Sequence, residues 1–223
     1  DMLSTYQRNI ERDRPLQKLM NKPLYIGLSG VAGSGKDTFF SFFKSTLQKN
    51  LKRIKRYSFG DCLKQELNPW TTENYNIDSL NCSRDEKDFI RPLLIAHAAI
   101  KREMTKGQHW INCVEEQIKN DPEDYDVICL TDVRYNFYEN DECAWVKEKG
   151  GIIVHISRFL SDKDCFLEPK NPEEKAHDPL VKNCADYEII VEEKQSKEAV
   201  QNETLFAVEG LLKWMEENGK WKI

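Results

Sequence analysis

Nine consecutive residues near the start of the chain carry the pattern with the most chemical content: Gly30-Val31-Ala32-Gly33-Ser34-Gly35-Lys36-Asp37-Thr38. Gly30, Gly33 and Gly35 allow the backbone to curl with successive N–H groups pointing inward, and such a curl is a nest for an anion. A helix opening near Gly35-Lys36 adds its positive N-terminal end. Lys36 adds a point charge able to reach the terminal phosphates of a nucleoside triphosphate. Gly30, four residues, Gly35 and Lys36 fit the phosphate-loop (Walker A) spacing, which then asks for Ser or Thr; this chain has Asp37, with Thr38 one place late. A glycine-rich turn without a ligand would need no lysine in this register. Gly30, Ala32, Gly33, Ser34, Gly35, Lys36, Asp37 and Thr38 are therefore the candidate ATP contacts.

The second signal is Asp126-Val127-Ile128-Cys129-Leu130-Thr131-Asp132, an apolar run of strand length closed by an acid. In open parallel sheets ligands bind at the C-terminal ends of strands, where an aspartate can order the shell of a magnesium ion. An Asp capping the next turn is the plainer alternative. Arg134 follows two residues later. Asp61, in Ser58-Phe59-Gly60-Asp61-Cys62-Leu63-Lys64, is placed either to take a proton from a hydroxyl nucleophile or to cap a helix over residues 62–67.

These residues need elements to hold them. Residues 24–28 form a short apolar run of the kind buried in a parallel sheet, and 36–50 follow as a helix whose stripe holds Phe39, Phe40, Phe42, Phe43 and Leu47. Residues 54–59 read as a second strand, 68–84 as an irregular insertion, and 85–104 and 110–119 as amphipathic helices. Strands at 126–132, 152–156 and 187–191 alternate with helices at 138–149 and 204–217. Residues 159–183 are charged and aperiodic and read as a flap or lid. Alternating strands and helices indicate one doubly wound α/β domain over 23–223, with an insertion at about 61–120 and a polar tail or short helix over 1–22.

Composition narrows the classes. Charged residues make up 32% of the chain, and no apolar run approaches a membrane span, so a soluble protein without a membrane partner is expected. The polar start lacks the apolar core of a signal peptide, which points to the cytoplasm. Seven scattered cysteines, with no Cys-x-x-Cys, argue against a disulfide framework and a zinc site. A net charge of -5 gives no general attraction to nucleic acid and favours a small substrate.

Taken in order, Gly-Ser-Gly-Lys-Asp-Thr, Ser58 to Lys64, Arg91-Pro92-Leu93-Leu94 leading to Arg102 and Trp110, Thr131-Asp132-Val133-Arg134, and Gly150-Gly151 through Ser157-Arg158 resemble the deoxynucleoside monophosphate kinases of bacteriophages and other large DNA viruses. The resemblance spans roughly residues 23–192. It implies a P-loop NTPase fold of the nucleoside monophosphate kinase kind, with a five-stranded parallel sheet in the order 2-3-1-4-5, a substrate-binding insertion and a lid. It implies ATP, magnesium and a small nucleotide substrate, in a host cytoplasm if the source is viral, and it is compatible with a homodimer. Lys36 would hold the transferring phosphoryl group, Asp37 or Thr38 would face the metal, and Asp132 would order its water. Asp61, Lys64, Arg91, Arg102 and Trp110 would line the acceptor side, with the two arginines clamping its phosphate, while Arg134 and Arg158 would approach from the far wall. Ile95 and Ala98 stand where the family often has Gln and Gly.

Three functions fit these residues. A nucleoside monophosphate kinase needs charge and positioning but no base. A kinase for a hydroxyl acceptor, such as a hydroxymethylated pyrimidine in DNA, would need Asp61 as general base. A nucleotide-binding protein without transferase activity would use the loop alone.

Overall fold

The computed structural model describes residues 22–193 and 196–221. The expected N-terminal tail or helix lies outside them, apart from Lys22. The chain runs β1 (Leu24–Ser29), α1 (Lys36–Lys49), β2 (Ile54–Tyr57), α2 (Phe59–Tyr75), α3 (Arg84–Thr105), α4 (Gln108–Asn120), β3 (Val127–Leu130), α5 (Glu142–Glu148), β4 (Ile152–Leu160), β5 (Cys165–Phe166), α6 (Pro172–Asn183), β6 (Tyr187–Glu192) and α7 (Lys197–Glu217).

Five strands are parallel, in the order β2-β3-β1-β4-β6, and the two-residue β5 adds an antiparallel sixth on β4. The strand runs are continuously apolar because helices cover both faces. On one face Ile26, Leu28, Val127, Cys129, Val154 and Ile156 pack with Phe39, Phe43 and Leu47 of α1 and with Val208, Leu211 and Met215 of α7. The alternate residues Ile128, Leu130 and Ile153 face the other way, onto Trp110, Ile111 and Val114 of α4 and Trp145 and Val146 of α5. The fold is thus the doubly wound P-loop arrangement, with β1 flanked by β3 and β4 so that the loop after β1 opens at the C-terminal edge of the sheet.

The insertion departs from the sequence reading. Residues 68–84 are not irregular throughout: α2 continues past Pro69 to Tyr75 and ends on Asn76 in the left-handed conformation. Leu67 and Thr71, on either side of that proline, are buried, and Leu67 joins Ile77, Ile90 and Leu94 in a small separate core. Helix α3 then opens with a reciprocal capping box between Ser83 and Glu86.

Residues 159–183 are not aperiodic either. Strand β4 extends to Leu160, turns into β5, and α6 follows with Asn171 as its cap, Pro172 in its first turn and Glu173 and Glu174 at its positive end. Val181 is the buried residue of α6, so no apolar stripe betrays the helix in the sequence. Helix α5 is shorter than the 138–149 expectation, because Asp141 caps it and the residues before it form turns.

Candidate active site

The loop between β1 and α1 has the curled backbone that its glycines allow. Gly30, Gly33 and Gly35 have φ of 130°, 90° and 105°. A Cβ on Gly30 would fall 2.2 Å from the Ile156 carbonyl oxygen of β4, and one on Gly33 or Gly35 would still force a strained φ. Lys36 folds back over the loop, its Nζ donating to the Gly30 carbonyl at 2.5 Å and the Val31 carbonyl at 2.9 Å. Burial, and then the nearby Arg134 guanidinium, push its ammonium down to about 8.

The loop opens on a cleft of about 480 Å³. Ala32, Gly33, Lys36 and Asp37 form one end of it, and Thr131, Asp132 and Arg134, from the end of β3, form its side. The far wall comes from the insertion: Asp61, Leu63 and Lys64 of α2, Arg91, Leu94, Ile95, Ala98 and Arg102 of α3, and Trp110 of α4. Most of the residues singled out from the sequence therefore converge. Thr38 is exposed on α1 and is not part of the cleft lining, whereas Asp37 is. Arg158 lies against the phosphate loop instead, donating to the Gly33 carbonyl at 3.3 Å and to Glu193 at 3.0 Å.

Asp132 is held by the start of α2. Its Oδ2 accepts from Ser58 Oγ and the Gly60 N–H, both at 2.8 Å, and its Oδ1 from the Phe59 N–H at 3.0 Å. A carboxylate at a helix N-terminus is favoured by the dipole, and Oδ1, with one donor, keeps acceptor capacity in a residue that lines the cleft. Ser58, not Asp61, caps α2. Asp61 pairs with Arg56 at 2.6 Å and Lys64 at 3.1 Å. Burial opposes ionisation there, but those hydrogen bonds outweigh it and hold the carboxyl below the usual carboxylate range.

The two acceptor-side arginines differ in kind. Arg91 is half exposed and paired with Asp88, three residues earlier on the same helix. Arg102 is buried, forms a fork on Asp141 at 3.1 and 2.9 Å, and lies with its guanidinium 3.4 Å from the centre of the Tyr135 ring. The fork uses two of the five guanidinium N–H groups, and Arg102 still lines the cleft, so it braces the wall that it belongs to. Beside it Glu142 accepts from the Arg134 N–H at 2.7 Å, and burial pushes its carboxyl up to about 8 against the pull of Arg102. Trp110 is 3% exposed and packs against the rings of His97 and His109 in the cleft wall.

The sequence reading missed several lining residues: Arg56, Lys87, Tyr135, Glu142, Glu174 and His177. Arg56 alternates outward on a short strand that ends at the cleft, a signal that was readable. Glu174 was not, because it depends on α6 folding back. There it takes Arg134 as partner at 3.1 Å, and it is near enough to Lys36 to oppose the fall of that ammonium.

No three His, Cys, Asp or Glu side chains among the described residues converge as metal ligands. Magnesium bound with a nucleotide takes most of its ligands from phosphate oxygens and water, so one or two carboxylates are sufficient. Asp37 and Asp132 can supply them, and the buried Thr131 hydroxyl, which has no hydrogen-bond partner, is the kind of orphan that such a water would satisfy.

No family model and no curated protein matches the chain. Among solved structures it is similar to a shikimate kinase from Acinetobacter baumannii in complex with shikimate, at 15% identity and a TM-score of 0.41 over 90% of this chain and 97% of that one. It is also similar to a protein from Thermus thermophilus, at 14% identity and a TM-score of 0.44 over 86% of this chain and 99% of that one. Both likenesses are distant; the strand order and the glycine loop define the fold. No helix among the described residues is long and apolar enough to cross a membrane.

Proposed function

We propose that the chain is an ATP- and magnesium-dependent kinase that transfers the γ-phosphoryl group to the phosphate of a nucleoside or deoxynucleoside monophosphate. The observation that carries this reading is one cleft lined by the phosphate loop, by the basic side chains of Arg56, Lys64, Lys87 and Arg91, and by the apolar side chains of Leu63, Leu94 and Ala98. Two anionic groups brought together need cations on both sides, and an apolar stretch beside the second suits a base. Preference for the deoxy sugar and for the phage and viral subfamily rests on the motif series alone.

In this reading the loop N–H groups and Lys36 stabilise charge as it develops on the oxygen between the β- and γ-phosphates, with Arg134 and Arg158 placed to share it. Magnesium bound with the nucleotide would neutralise the phosphates, held by Asp37 and through water by Asp132. Arg91 and Lys64 would orient the acceptor phosphate, which is already ionised at neutral pH and needs no base. The rival reading, a hydroxyl acceptor, makes Asp61 the base. Its hydrogen bonds from Arg56 and Lys64 lower the basicity such a step requires, so the arrangement favours the mononucleotide.

The test is ADP formation from ATP with a panel of nucleoside monophosphates and with hydroxymethylated DNA. Turnover is expected with at least one mononucleotide, to fall about 10²–10³-fold or more in Lys36→Ala, and to survive Asp61→Asn with at most a moderate loss. Phosphorylation of modified DNA alone, abolished by Asp61→Asn, would transfer the assignment to the hydroxyl class. Nucleotide binding with no acceptor-dependent ADP would leave a non-catalytic binder.

A further inference from the structure

Helix α3 serves the cleft with one side only. Lys87, Arg91, Leu94, Ala98 and Arg102 face inward. On the reverse, Phe89, Leu93, Ala96, Ile100 and Met104 recur at spacings of four, three, four and four, which puts them in one line along the helix, about 22 Å from end to end, with Leu93 partly buried against the small core. Phe89 is 68% exposed, Ile100 56% and Met104 76%. Tyr75 of α2 meets Phe89 edge-on at 5.9 Å and Trp70 continues the patch. Single exposed apolar residues are ordinary, but a contiguous line with an area on the order of 500 Å² marks an interaction surface.

The line is self-complementary. Phe89 and Met104 lie equally far on either side of the junction between residues 96 and 97, and so do Leu93 and Ile100. A twofold axis through that junction sets Phe89 of one copy on Met104 of the other and Leu93 on Ile100, with the small Ala96 where the backbones approach most closely. It also brings the acidic first turn, Asp85 and Glu86, next to Lys106 at the other copy's C-cap and runs the two helix dipoles antiparallel.

We propose that this face is a homodimer interface, α3 packed antiparallel to α3 about Ala96, so that the helices carrying the two acceptor walls brace each other back to back. The proposal does not depend on which acceptor the cleft takes. Two copies would bury on the order of 1,000 Å², the lower end of specific interfaces.

The experiment is the molar mass of the full chain by sedimentation equilibrium from about 1 to about 100 µM, in reductant because Cys165 is exposed. A dimer is expected, and Phe89→Glu, Ile100→Lys and Met104→Lys should each shift it to monomer with an unchanged circular dichroism spectrum. Met104 is the control for folding, since so exposed a side chain contributes little packing. Mixing Phe89→Glu with Met104→Lys should restore dimer, because the antiparallel register sets the two introduced charges opposite each other. A wild-type monomer throughout would overturn the proposal and leave the stripe to residues 1–21 or another protein. A dimer that all three variants preserve would overturn it too, and failure of the mixture to recover would overturn the register.

Discussion

Lys36 bonded to its own loop carbonyls is in a resting position that a phosphate would replace, and its depressed ammonium makes the exchange sensitive to pH. In the free protein the charge is present below about 8 and is lost above it; a bound triphosphate raises the value again. Above pH 8 binding must therefore take up a proton, and the affinity for a non-hydrolysable ATP analogue should fall by at most about tenfold per pH unit. Titration calorimetry between pH 7 and 9.5 checks this, and Lys36→Arg should flatten the curve. A profile equally steep in Lys36→Arg would assign the titration elsewhere. Arg134 is engaged in a similar way, paired with Glu174 of α6 although its own side chain is 47% exposed. Such a pair contributes less than about 1 kcal/mol, so Glu174→Gln should raise analogue affinity by about two- to fivefold by freeing the arginine. A weaker Kd in that variant would mean that Glu174 helps hold the nucleotide instead.

Helices α2, α3 and α4 are tied together by one carboxylate. Glu66 Oε1 receives His97 at 2.7 Å and Lys101 at 3.0 Å, and Oε2 receives His109 at 2.6 Å. Burial resists its ionisation, but these partners hold the carboxyl down to about 2. A carboxyl depressed in the folded state contributes stability above its unfolded value, near 4.3, and loses it as pH falls toward 2. Glu66→Gln should accordingly cost about 1 kcal/mol at pH 7, after allowance for solvent screening, with the difference closing in acid; thermal melts across that range measure it. An unchanging gap would mean the loss is of packing. The sequence exposes none of this clasp, because its four residues lie on three helices and each looks like a surface group. What was legible shows the same logic. The strands around Ile26, Ile128 and Val154 are apolar on both sides and announce themselves, as does the glycine loop, whose chemistry is local. Helix α6 has little apolar content, α2 runs through a proline, and Asp141 and Glu142 read as part of a helix over 138–149, with nothing local to show that Arg102 of α3 meets them. Asp132 was readable as a strand-end acid, but its partners, the first N–H groups of α2, were not.

At the scale of the whole molecule the two halves of the cleft rest on different hydrophobic clusters. The phosphate loop is anchored in the main core through Phe39 and Ile156, whereas part of the acceptor wall stands on the small core of Leu67, Ile77, Ile90 and Leu94. The end of β3 is joined to the start of α2 by the Asp132 carboxylate, seated on that helix's N-terminus. That arrangement has a thermodynamic consequence. Whatever draws on Asp132 from the triphosphate side weakens or re-aims its bonds to α2, and whatever fixes α2 from the acceptor side returns the carboxylate to a set position. The two ligands are then heterotropically linked, and linkage is reciprocal: the factor by which an acceptor changes the affinity for an ATP analogue must equal the factor by which the analogue changes the affinity for the acceptor. Calorimetric titration of each ligand, with and without the other saturating, should give one common factor, on the order of five or more, and Asp132→Asn should bring it close to one.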